Sequence, residues 1–565
     1  MLKLLFILPI SLLTFNCITF NAMKDVSRYT STSLSNPKDS DQYPELTIRN
    51  QLMGQLSPER TCYDIKFYDL NLDIDVDRRF ISGYNTITSI AVNDFQTLQV
   101  DLRNQMNIEK IVYSNSNLEF SRNEDAVFIQ FPAISAGSEF YFTVHYSGTP
   151  REAPRPPWDD GFVWEKDKAG RHFVAVTSEG LGASHWWPCK DHIADEPDSM
   201  AINISVSNEL MCVSSGQLKE IKKLDNGKNE YRWFVNNPIN NYNISVNIGH
   251  YAIIQDTIHS LGKIQDASYY VLDYNEEVAR EHFKEARTII RALEYYFGPY
   301  QWWDDGYKLV QAPYLGMEHQ SAVTYGNDFR VYDKSKSRNI YGFIDYITLH
   351  ETAHEWWGNS ITACDPADVW IHEGFGTYTE ALYVEYLLGY EISLDFLIQK
   401  RRGIGNKKAI VGPREQNYWG FSDAYNKGSW VIHTLRNVID NDELFFTTLK
   451  GFAIDNAKSV VCTEDVRDYF AEQTGLDLNK FFGQYLFDRM VPTLEFSQNE
   501  GKFYFRWTST INGFDMPINL LVNKKEVRIY PTAFRKSIAI PQYATVEIKD
   551  WEYLVIKKEN NDLLH

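Results

Sequence analysis

Leu349-His350-Glu351-Thr352-Ala353-His354-Glu355-Trp356-Trp357-Gly358-Asn359 is the stretch on which the reading of this 565-residue chain turns. On a helix, His350 and His354 lie about 40° apart around the axis and one turn apart along it, so both imidazoles can reach one metal ion. Glu351 is rotated about 100° from His350, beside the metal rather than on it, where a carboxylate serves as general base. A core helix with two hydrogen-bonded histidines would show the same spacing. A second helical stretch, Trp370-Ile371-His372-Glu373-Gly374-Phe375-Gly376-Thr377-Tyr378, weighs against that reading, because eighteen residues separate His354 from Glu373. That is room for a turn and a returning helix. His350, His354 and Glu373 form a two-histidine, one-carboxylate set that leaves a fourth position for water, the arrangement of a catalytic rather than a structural zinc. One Zn2+ per chain is therefore expected. His372 adjoins Glu373 but points about 100° away, so only one of the two can aim at the metal.

Outward from this window the hydrophobic period changes twice. From Tyr63 to about Asp256 it is mostly two, clearest in Asp69-Leu70-Asn71-Leu72-Asp73-Ile74-Asp75-Val76-Asp77. That run lacks the glycine and glutamate of a calcium loop, and a half-buried strand explains it. Strand-like runs follow at 84–92, 126–131, 139–146, 200–206, 231–235 and 244–254. Near Tyr274 the period becomes helical: Asn275 is placed to cap a helix that Gly298 stops, and further helical segments fall at 341–357, 374–388, 427–439 and 466–474. After Pro492 alternation returns. The expected fold is multidomain α+β: a signal peptide over 1–22, a flexible linker over 23–45, an N-terminal β-domain over 46–270, a mainly α-helical catalytic domain over 271–490 and a small C-terminal β-module over 491–565.

The net charge of −19 argues against nucleic acid as a partner. The apolar run 4–15 behind Lys3 is too short to span a bilayer and fits a secretory signal, which points to a secreted, periplasmic or surface-tethered protein. Cys17 leaves a lipid anchor open, and membrane association is expected only through it. The remaining five cysteines, Cys62, Cys189, Cys212, Cys364 and Cys462, show no pairing pattern and read as isolated buried thiols.

A zinc and a general base make a hydrolase without deciding which. A phenol could serve the oxyanion from Tyr425, just ahead of a helix in Asp423-Ala424-Tyr425-Asn426-Lys427-Gly428-Ser429, but 35 tyrosines compete for that role. With these motifs on the page, the chain resembles the aminopeptidase N family of gluzincin zinc metallopeptidases. In that family H-E-x-x-H, eighteen residues and Glu form the zinc site, and a tyrosine is followed two residues later by Lys-Gly, matched by Tyr425, Lys427 and Gly428. The family's Gly-x-Met-Glu-Asn segment is matched by Leu315-Gly316-Met317-Glu318-His319, with Leu315 and His319 departing from it. Its upstream glutamine-rich element is matched by Thr177-Ser178-Glu179, ahead of Pro188-Cys189. The resemblance runs from about Tyr63 to the C-terminus without the family's long C-terminal helical domain. It implies a thermolysin-like catalytic domain, Glu351 and Tyr425 as catalytic residues, Glu318 and Glu179 as anchors for a substrate's free α-amine, and Gly316 and Met317 as substrate-binding. The expected activity is zinc-dependent release of N-terminal residues from peptides with a free N-terminus. Another zinc hydrolase on the same fold (an endopeptidase or an epoxide hydrolase) and an inactive peptide-binding scaffold are the alternatives.

Overall fold

Alternation along Tyr63–Asp75 buries Leu70, Leu72 and Ile74 and turns the intervening acidic and amide side chains outward, as a strand with one solvated face requires. The computed structural model describes residues 45–330, 344–419 and 423–564. The expected leader, the linker up to residue 44 and Cys17 lie outside them. Tyr63–Asp75 sits inside an eight-stranded sheet, antiparallel to Phe80–Ala91 and parallel to Ser199–Ser207. A three-stranded and a four-stranded sheet complete the N-terminal region, the latter containing Gly161–Lys166 and His172–Thr177.

The run read as one strand over 244–254 divides at His250. Asn247–Gly249 is an inner strand of the four-stranded sheet, between Met211–Val213 and His172–Thr177, whereas Tyr251–Ser260 begins a hairpin with Lys263–Leu272. Period two records which face is buried but not which neighbour takes the hydrogen bonds, so a change of sheet leaves no trace in it. The hairpin continues through Tyr307–Gln311 and Val323–Tyr325 to an edge strand of two residues, Gly316–Met317. This sheet thus starts upstream of residue 270 and carries the strand that borders the site.

The segment expected as one helix from Asn275 to Gly298 is two helices, Glu276–His282 and Ala286–Phe297, joined by the 3-10 turn Phe283–Glu285. Asn275 does not cap it; its amide donates instead to Gln311 Oε1 at 3.1 Å. Gly298 does stop it, at φ +89°, a conformation that favours glycine. The remaining expected helices are Tyr346–Ala353, Trp370–Leu388, Asp423–Ile439 and Thr463–Thr474. The residues expected to open the first of these, 341–343, lie outside the described set. Two small sheets of four and three strands form the C-terminal module. It shares one apolar core with the catalytic helices, and Arg401 donates across the junction to the carbonyls of Asp550 and Val555 at 2.6 and 2.5 Å.

Two of the thiols read as isolated are not. Cys364 and Cys462 form a disulfide across 98 residues, brought together by the parallel pair Ile361–Ala363 and Ser459–Val461. Neither spacing nor composition signals a bond whose two halves meet only through tertiary structure. Cys62, Cys189 and Cys212 are buried free thiols.

Candidate metal centre and its cleft

Asp345 caps the helix Tyr346–Ala353 by accepting from the N–H groups of Ile347 and Thr348, which fixes where His350 and His354 fall. The helix Trp370–Leu388 crosses it and brings in Glu373. His350 Nε2 and His354 Nε2 are 3.2 Å apart, and Glu373 Oε2 lies 3.5 and 3.6 Å from them. Tetrahedral zinc with bonds of about 2.0–2.1 Å sets its ligand atoms about 3.3–3.5 Å from one another. The three atoms fit that edge length. Glu373 Oε2 is buried without a hydrogen-bond partner, which a cation between the three groups would answer. Burial alone would raise Glu373, yet the His354 and His350 imidazoles hold it well below the usual carboxylate range.

Each imidazole is aimed from behind, as metal-binding histidines require. His350 Nδ1 is 2.9 Å from Glu380 Oε1, and His354 Nδ1 is 2.8 Å from the carbonyl of Trp357. Glu380 was missed in the sequence although it stands seven residues beyond Glu373, hence on the same helix face. His372 turns away and accepts the Ala363 N–H at 2.8 Å, as expected from its rotation.

Tyr425 stands inside the first turn of Asp423–Ile439 rather than ahead of it. Asp423 accepts the N–H groups of Gly405 and Asn406 at 2.8 and 2.6 Å, tying the helix start to the preceding loop. The Tyr425 ring stacks on His350 at 6.2 Å between centroids. Burial, then the charge of Glu373, raises its phenol well above the ordinary value, so it remains a donor. Its helix can come this close because Gly374 and Gly428 face each other: a Cβ on Gly428 would lie 2.9 Å from Gly374 Cα. Lys427 is buried and donates to the Arg489 carbonyl at 3.0 Å, so its part in the Tyr-x-Lys-Gly pattern is structural.

A cleft of about 900 Å³ opens beside these groups, lined by Glu179, Glu373, Tyr425, Tyr346 and Lys400 together with Trp158 and Trp419. Glu351 sits against Gly316, where an added Cβ would lie 2.7 Å from Glu351 Oε1. Burial pushes Glu351 up to about 8, opposed by His350 and reinforced by Glu318. Glu318 is buried with Oε1 unpartnered, and burial raises it while His354 pulls it down. Asn359 fixes its backbone, donating to the Glu318 carbonyl at 2.9 Å. Burial and then the Glu318 charge raise Glu179 well above the carboxylate range. Met317 is buried and its carbonyl accepts from Thr324 Oγ1 at 3.0 Å. The two departures differ in kind. Leu315 is partly exposed, whereas His319 is buried against the carbonyls of Val176 and Asn243, 3.1 and 3.3 Å from its ring nitrogens. Glu351, Glu318, Glu179 and Tyr425 thus lie around the His350–His354–Glu373 set, with Gly316 against Glu351, whereas Met317 packs with Ala312 and Tyr314 in a small apolar cluster.

Residues 281–485 match the peptidase family M1 domain. Among curated relatives, leucyl aminopeptidase of Saccharolobus solfataricus is 22% identical over 76% of this chain and 54% of its own length. Leucine aminopeptidase 2 of Vanderwaltozyma polyspora is 24% identical over 58% of this chain and 48% of its own length. The chain thus spans about half the length of these relatives. Among solved structures, an M1 zinc metallopeptidase variant from Deinococcus radiodurans superposes with TM-score 0.63 at 20% identity, covering 80% of this chain and 98% of that one. A Tyr-Ser-Ala substrate complex of that metallopeptidase superposes with TM-score 0.62 at 20% identity, over 79% and 96% of the two chains.

Proposed function

Starting from a chain whose residues 281–485 match the peptidase family M1 domain, we propose that the protein is a zinc-dependent aminopeptidase hydrolysing the N-terminal peptide bond of peptides. The observation that carries the reading is the proximity of the His350–His354–Glu373 donor set to Glu318, a buried carboxyl whose Oε1 has no hydrogen-bond partner and which feels the charges of His354 and Glu373. Metal donors alone suit many hydrolases. A buried acid with a free oxygen beside them suits one whose substrate brings an ammonium group, since a buried charge needs a partner.

His350, His354 and Glu373 would hold the zinc, whose chemistry is Lewis-acid polarisation and acidification of water. Glu318 and Glu179 bind the α-ammonium and so count the cleavage from the N-terminus. The edge strand Gly316–Met317 lies along the substrate backbone. Glu351 takes the proton of the attacking water and delivers it to the leaving amine. Tyr425 donates its phenol hydrogen to the oxygen on which charge develops.

The disulfide Cys364–Cys462 supports an oxidising compartment, in keeping with export directed by residues 1–22. Fractionation of cells expressing the full chain tests that placement; recovery in the reducing cytosol would refute it.

Amino-acid β-naphthylamides assayed beside their N-acetyl counterparts, with and without a chelator, test the activity. Cleavage of the free-amine compounds alone, lost on chelation, is expected. Equal rates on blocked substrates would return the reading to an endopeptidase or another zinc hydrolase. Glu318→Ala is expected to raise KM about 10- to 100-fold, the loss of one charge-assisted contact of about 1.5–3 kcal/mol.

A further inference from the structure

Lys400 ends the helix Tyr390–Lys400 and lines the wall of the cleft. Among the described residues lining that cleft it is the only lysine or arginine, while Asp160, Glu179 and Glu373 are its acids. Nothing in the mechanism above uses it. Its Nζ lies 2.6 Å from Glu380 Oε2 and 4.6 Å from the centroid of the Tyr346 ring, with the side chain 20% exposed.

The two ends of the helix Tyr346–Ala353 give the cleft a direction. Asn359, beyond His354, holds the backbone of Glu318, so the amine anchor belongs to the C-terminal end. Tyr346 opens the helix, stacked on His350 at 5.7 Å, and Lys400 sits over its ring. From Tyr346 to His354 the axis rises about 12 Å. A peptide whose ammonium rests at the Glu318 end therefore leaves its carboxyl side towards Lys400.

We infer that Lys400 is a subsite cation that binds the terminal carboxylate of short peptides, chiefly dipeptides, on the leaving side of the scissile bond. The inference rests on the aminopeptidase reading and names its substrate class. Reach permits it. Glu380 connects the ammonium to His350 through contacts of 2.6 and 2.9 Å, which puts Nζ on the order of 10 Å from the metal position. One or two extended residues at about 3.5 Å each span most of that distance, and the lysine stem covers the rest. Energy permits it too. An ammonium has three donors, and the contact to Glu380 uses one direction and fixes the group in place, so less ordering is left for binding.

Lys400 could instead serve only to neutralise Glu380 behind His350, and the experiment separates the two. Leu-Leu and Leu-Leu-amide share the amine and the scissile bond and differ only in the terminal charge. Wild-type protein is expected to favour the acid by about tenfold in kcat/KM, the lower range for one charge-assisted hydrogen bond. Lys400→Met and Lys400→Gln should erase the preference, the second while still offering Glu380 a donor, and Lys400→Arg should keep it. Zinc content of each variant is measured in parallel. Equal wild-type rates on the two peptides overturn the subsite alone, as does a preference surviving in Lys400→Gln or a loss that falls equally on both substrates. Wild-type protein cleaving neither peptide overturns the aminopeptidase reading and the subsite with it.

Discussion

At Gly316 a hydrogen atom decides where the general base sits. A methyl group there would lie 2.6 Å from Ile347 Cγ2 and 2.7 Å from Glu351 Oε1. Of these the carboxylate is the freer to move, so Gly316→Ala should displace Glu351 while leaving the fold intact. Small errors in catalytic geometry are expensive, and kcat is expected to fall about 10- to 100-fold with zinc content nearly unchanged and Tm lowered by only a few degrees for the shift forced on Ile347. Steady-state kinetics with metal analysis checks this; a variant that keeps full kcat would show that Glu351 tolerates the shift. Residues of this kind were partly legible in the sequence. His350, His354 and Glu373 could be read because one helical period fixes two of them and a returning helix the third. Asn359 and Lys400 could not. Asn359 acts on Glu318 from 41 positions away, and Lys400 reaches Glu380 from a different helix. No local period encodes such contacts.

At the scale of elements, the site depends on how closely two helices approach. Gly374 in Trp370–Leu388 and Gly428 in Asp423–Ile439 meet with no side chain between them, and each lies within one turn of a functional residue, Glu373 and Tyr425. Gly428→Ala puts its methyl 2.9 Å from the Gly374 Cα, a backbone atom that cannot swing aside. The helices must part. Overpacking of this kind costs about 1–3 kcal/mol, partly offset by the better helix propensity of alanine, about 1 kcal/mol. The expected result is a modest fall in the urea midpoint with a larger fall in kcat, because the Tyr425 donor moves away from the metal ligands. A variant with a lowered midpoint but unchanged kcat would mean that Tyr425 is positioned by its own turn rather than by the crossing. The sequence indicated both helices through their apolar period, but not the crossing. Periodicity gives a helix its buried face and is silent on which helix covers it, just as it missed the change of sheet at His250.

Across the whole molecule, the N-terminal region and the catalytic helices meet at a titratable contact. Glu196, from the loop that follows Pro188-Cys189, accepts from Thr362 Oγ1 at 2.9 Å and from Asn240 Nδ2 at 3.5 Å. Thr362 lies in Ile361–Ala363, the strand between the two metal-binding helices. Burial pushes Glu196 up to about 7 from 4.5; the hydrogen bonds from Thr362 and Asn240 oppose it and the charge of Asp195 adds to it. A carboxyl raised on folding keeps its proton where the unfolded chain has lost it. Stability is thus highest below about pH 4.5 as far as this group is concerned and declines as pH rises through about 7. Glu196→Gln keeps the acceptor for Thr362 and removes the ionisation. It should match wild type near pH 4.5 and exceed it at pH 8 by on the order of 1–2 kcal/mol, discounted for the partial exposure of the side chain. Urea midpoints of both proteins at the two pH values measure the difference. A wild-type deficit that does not grow with pH would mean that Glu196 ionises freely, and that the junction beside the metal-binding helices is not a source of the molecule's pH dependence.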